Sequence, residues 1–193
     1  MTTVREIADH LYGLPLEEFT PARQAAAKKA RDAGDPDLAK AVTALRKPTV
    51  VAWLANQLVR EHAAELTPLL DLGAALREAT ADLDGDQLRR LSAQQHQVVH
   101  ALVQRAKRTA KASGRPVSED TARGLEDTLH AALADPGAAA ALQAGRLTEG
   151  LSRIGFPGGF PGADETADGA VDESADGAAA SVRPAKSGER RTE

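Results

Sequence analysis

The sequence predicts an all-α protein: an up-and-down helical bundle of about six to eight helices, followed by a disordered acidic tail. Three observations predict it. The 193-residue chain is rich in alanine and leucine and only 3% aromatic, which favours helix and leaves little of the material that strands use. Proline recurs directly after residues suited to helix capping, where its missing N–H costs nothing. Many links between the expected helices are only a few residues long, which favours antiparallel neighbours, and no repeat of roughly 34 or 40 residues argues for a solenoid.

Taken in order, Val4 to Tyr12 reads as a short first helix. Thr20-Pro21 opens a second that runs to Ala33 and closes at Gly34, and Asp35-Pro36 opens a third to Leu45. Lys47-Pro48-Thr49 marks a boundary before a helix from Thr49 to Ala64, and Thr67-Pro68 opens the next, to Leu83. Asp84 caps the longest helix, Asp86 to Ser113, which contains no proline or glycine. Leu88, Leu91, Val98, Leu102, Ala106 and Ala110 form its apolar seam, and Gly114 closes it. Arg105, Lys107, Arg108 and Lys111 crowd its last turns, where the negative end of the helix dipole favours cations. Ser118 opens a helix to about Ala134. Asp135-Pro136 opens a weaker one to about Ile154, interrupted by Gly145 and Gly150.

The character changes beyond Ile154. Gly155-Phe156-Pro157-Gly158 is repeated at once as Gly159-Phe160-Pro161-Gly162, and residues 163–170 are nearly copied as 171–178, an octad of acidic and small residues. Such a segment buries too little apolar surface to offset its ordering entropy. The sequence therefore divides into a helical domain, 1–154, and a disordered tail, 155–193.

Of 28 acidic residues, 8 lie beyond Ile154, and of 24 basic residues, 4 do, which leaves 20 of each sign in the helical domain. That domain exerts no bulk attraction on nucleic acid or anionic lipid, so such binding requires local clustering of its bases. The absence of cysteine excludes disulfides, thiolate metal sites and cysteine nucleophiles, and favours a cytoplasmic location. No apolar run reaches the roughly 20 residues of a membrane span, and the N-terminus lacks the apolar core of a signal peptide.

No nucleophile elbow, phosphate-binding loop or dinucleotide-binding turn is present. Asp82-Leu83-Asp84-Gly85-Asp86 has the acidic spacing of a calcium loop, but its glycine stands fourth and Ala93 occupies the place of the bidentate ligand, so it reads as a helix-connecting turn. His96 and His100 share a helix face at metal-ligand spacing, yet Gln97 stands where a metalloprotease needs glutamate and no third ligand is in view.

The most informative stretch is Leu38-Ala39-Lys40-Ala41-Val42-Thr43-Ala44-Leu45-Arg46-Lys47-Pro48-Thr49-Val50-Val51-Ala52-Trp53-Leu54-Ala55-Asn56. It resembles a helix-turn-helix, with a turn about one residue longer and with Thr43 and Ala44 where a glycine often stands. At 100° per residue, Val50, Val51, Leu54, Ala55 and Leu58 fall on one side of the second helix. Thr49, Trp53, Asn56, Gln57 and Arg60 share a stripe on the other, with Arg46 and Lys47 near the helix N-terminus. Asn, Gln and Arg can read base edges, and a base-flanked helix N-terminus can hold phosphate. These seven residues form the candidate interaction or nucleic-acid surface. The competing reading packs Trp53 against a neighbouring helix, with Asn56 and Gln57 in caps or interhelical hydrogen bonds.

Through Leu45 to Trp53 and through Gly145-Arg146-Leu147, the first 154 residues also resemble a group of small Ala/Leu-rich helical proteins of high-GC actinobacteria. The resemblance implies a bacterial cytoplasmic protein and carries over no catalytic or binding residue. The residues themselves imply no catalytic group, no cofactor and no metal. They point to a non-enzymatic helical interaction or regulatory protein with a protein partner; the alternative is DNA or RNA binding through residues 38–60. A homo-oligomer stays open, because the long seam suits an internal core or a dimer equally.

Overall fold

Side-chain oxygens fix six helix starts among the described residues, 2–152 of the chain, in the computed structural model. Thr3, Asp35, Thr49, Asp84, Ser118 and Asp135 each accept a hydrogen bond from the backbone N–H three residues on, satisfying a donor that the helix N-terminus leaves open. The helices are α1 (Val4–Leu11), α2 (Leu16–Asp32), α3 (Pro36–Ala44), α4 (Val50–Glu61), α5 (Ala63–Ala81), α6 (Gly85–Ala112), α7 (Glu119–Ala134) and α8 (Pro136–Gln143). The described residues contain no strand, so the chain is all-α as its composition predicts.

Two starts differ from the sequence reading. α2 and α5 begin at Leu16 and Ala63, five residues before Pro21 and Pro68, and neither has a side-chain cap. A proline this early removes one intrahelical bond, and the carbonyls left without that partner belong to the exposed residues Glu17 and Ala64, where water can serve them. The upstream turn is held instead by burial, of Leu16 and Phe19 in α2 and of Leu66 in α5.

The C-terminal ends follow one pattern three times. After α2 and α6, Gly34 (φ 79°) and Gly114 (φ 75°) take the left-handed conformation, and the next residue's N–H bonds back to Ala30 and Ala110. After α5, the same closure is made by Leu83 at φ 55°, with the Asp84 N–H bonded to the Ala79 carbonyl. The Asp82–Asp86 stretch is thus the α5–α6 turn, as its turn chemistry predicts.

α8 stops at Gln143, short of the expected Ile154, because Gly145 turns left-handed (φ 63°) and the following residues run non-helically along α4 and α7. The predicted tail, 155–193, lies outside the described residues. No helix among those described is long and apolar enough to cross a membrane.

Packing sorts the helices into two cores. α1, α2 and α3 pack together, with Ala8, Leu11, Tyr12 and Phe19 forming a small cluster. α4 to α8 enclose a larger one that includes Leu54, Leu58, Leu69, Leu102, Leu129 and Leu142. α3 therefore packs with α1 and α2, whereas α4 packs against α5, α6, α7 and α8. Residues 45–49 join the two. Glycine permits a close approach beside α4: a Cβ at Gly124 or Gly150 would lie 2.9 Å from a Val51 methyl.

Candidate functional site

The stripe that the sequence groups on α4 stays on one face, but most of that face is turned into the protein. Trp53 is buried and donates its indole N–H to the Leu14 carbonyl at 3.0 Å. Gln57, also buried, donates to the Gly13 carbonyl at 3.2 Å. Asn56 has no exposed surface and holds Leu147 at two points, accepting from its N–H at 2.8 Å and donating to its carbonyl at 3.0 Å. Thr49 caps α4 with its hydroxyl, and its backbone N–H bonds the Thr148 carbonyl at 2.9 Å. Arg60 donates to the Gly145 carbonyl at 3.0 Å.

One helix face thus clasps the α1–α2 connection and the segment after α8. Trp53, Asn56 and Gln57 are buried, and their polar atoms complete the hydrogen bonding of loop backbone. Thr128 does the same for Leu151, accepting its N–H at 3.0 Å.

Arg46, Lys47 and Arg60 remain exposed. The fold adds Arg23 and Arg146, so that cations ring the buried Tyr12. The Tyr12 hydroxyl donates to the Arg46 carbonyl at 2.9 Å, and Arg23 donates to the Leu45 carbonyl at 2.5 Å while lying 5.9 Å over the Phe19 ring. Arg46 pairs with Glu149, and Arg146 with Asp9, each at 2.7 Å. Burial raises the Tyr12 phenol above its ordinary value, and the charges of Arg23, Arg46 and Arg146 pull it partly back. Partial burial lowers the Arg60 guanidinium, with Arg146 acting in the same sense and Asp9 opposing.

A cleft of about 600 Å³ adjoins this collar at Gly13, floored by Trp53 and Gln57 and rimmed by an Arg115–Glu17 ion pair. The basic cluster at the end of α6 is partly paired: Arg105 binds Glu65 at 2.6 Å and Lys107 binds Glu119 at 3.0 Å. Arg105 holds the Glu65 carboxyl below its usual range, chiefly through their hydrogen bond. His96 and His100 are exposed, and the ring of His96 meets that of His130 on α7 edge-on, 6.4 Å between centroids.

No family model, curated protein or solved structure matches the chain. Arg23, Arg146, Asp9 and Glu149 had no sequence signal as site members. Asp9 lies on α1, Arg23 on α2, and Arg146 and Glu149 on the segment after α8, which the clamp between α4 and residues 145–148 brings to the other two.

Proposed function

We propose that the chain is a non-enzymatic helical interaction or regulatory module of the bacterial cytoplasm, acting through the arginine-rich collar around Tyr12. The observation that carries this reading is the division of labour on the α4 face. Its uncharged hydrogen-bonding side chains are used within the fold, while Arg46, Lys47 and Arg60 stay at the surface beside Arg23 and Arg146. A rigidly braced guanidinium costs less ordering entropy on binding than a free one, which suits such a surface to a protein partner. The cysteine-free composition supports the compartment.

DNA or RNA binding through residues 38–60 is the second reading. It keeps phosphate contacts from Arg46, Lys47 and Arg60 but loses two base-reading side chains, because Asn56 and Gln57 are bonded to Leu147 and Gly13. Affinity capture from native bacterial lysate with the full chain, beside an Arg46→Glu, Lys47→Glu double variant, tests the first reading: partners recovered with the natural chain should be lost with the variant. Recovery of the same proteins by both would exclude the collar as the contact surface. Salt-sensitive binding of duplex DNA or single-stranded RNA that the double variant abolishes, with no protein captured, would promote the second.

A further inference from the structure

Resting on that reading, we infer that the collar takes a carboxylate-rich polypeptide segment, held by guanidinium–carboxylate pairs. The junction assembles five cations, Arg23, Arg46, Lys47, Arg60 and Arg146, against two carboxylates, Asp9 and Glu149. The adjoining cleft adds Arg115 against Glu17 and Glu61, so the positive surplus lies in the collar itself. Arg23 and Arg60 are the sharpest part of it, because both are anchored on neutral backbone carbonyls. A guanidinium has five N–H donors, so each retains several while its position is fixed. Planar, preorganised forks of this kind suit bidentate pairing with a carboxylate.

Carboxylates are also the ligands that this surface already binds. Asp9 and Glu149 each meet an arginine at 2.7 Å, which shows that the geometry of the collar accepts the group. A nucleic acid duplex needs an extended positive field, and a helical domain with equal numbers of acids and bases does not supply one. A short acidic segment needs only the local surplus. Residues 163–178 of this sequence have that chemistry, with six carboxylates, no base and small residues between them, and they provide a probe.

The test uses the full chain with those six carboxylates replaced by amides, so that its own acids do not compete, and a fluorescent peptide with the sequence of residues 163–178. The acidic peptide should bind at least roughly tenfold tighter than its all-amide counterpart, a difference of about 1.4 kcal/mol. Its affinity should fall as salt is raised, and fall again by roughly tenfold in an Arg46→Gln, Lys47→Gln variant whose Trp53 emission shows it folded. Equal affinity for the two peptides, no loss in the variant, or tighter binding of a short DNA duplex than of the acidic peptide would overturn the inference. Partner capture that depends on Arg46 and Lys47 without acidic-peptide binding would leave the module reading standing and remove this one.

Discussion

α4 and α6 carry similarly amphipathic sequences and reach different fates. In α4, seven consecutive residues, Ala52–Leu58, are buried, polar ones included. In α6, more than twice as long, burial is confined to Val99, Leu102, Val103, Ala106 and Ala110. The predicted seam of α6 is correct in direction, yet Leu88, Leu91 and Val98 are only half-buried. The difference lies in the neighbours. α4 is enclosed by four helices and two loops, whereas the first half of α6 has α5 beside it until α7 arrives near Gln95 and α4 near Thr109. Amphipathicity orients a helix; enclosure decides how much of it leaves water.

The largest expected effect tests the enclosed helix. Asn56→Ala strands the Leu147 N–H and carbonyl in the interior and should cost about 3–4 kcal/mol, read by denaturant unfolding through the sole tryptophan, Trp53. A loss below about 1 kcal/mol would mean that water replaces the clamp, and the contrast with α6 would collapse.

Within α6 the contrast can be measured on one helix. Leu102→Ala should cost about 3 kcal/mol, as a fully buried leucine does, and Leu91→Ala about 1 kcal/mol. Equal losses would show that the first half of α6 is covered in solution by something beyond α5.

At the tip of the α5–α6 hairpin, Leu83 is 87% exposed and holds a left-handed backbone that glycine adopts freely. Leu83→Gly should therefore stabilise the protein by about 1 kcal/mol, seen as a higher melting temperature.

The smallest effect concerns the joint between the two cores. The only tyrosine, Tyr12, should titrate above 10.0 when its ultraviolet absorbance is followed with pH. Because its folded value is raised, the phenol's contribution is complete below the unfolded value and is lost as pH rises through the folded one. Tyr12→Phe should remove that alkaline dependence. It should cost under about 1 kcal/mol near neutral pH, through the lost bond to the Arg46 carbonyl.

Much of the fold was legible because its signals are local. Asp35, Asp84, Ser118 and Asp135 cap helices where the sequence places them, and Gly34 and Gly114 end them. Pro21 and Pro68 misled for the opposite reason: the starts at Leu16 and Ala63 are fixed by burial of side chains against distant helices, which no local pattern records. The candidate site was legible only as a list of residues sharing a face. The sequence alone determined helical class, most boundaries and the grouping of Trp53, Asn56, Gln57 and Arg60, since a period of 3.6 residues sets the angles between side chains on one helix. The tertiary structure decided where that face points. Asn56 and Leu147 stand 91 positions apart, and the pairing of a buried amide with a loop's backbone depends on the path of the chain between them. That path also leaves the arginines, and not the amides, at the surface.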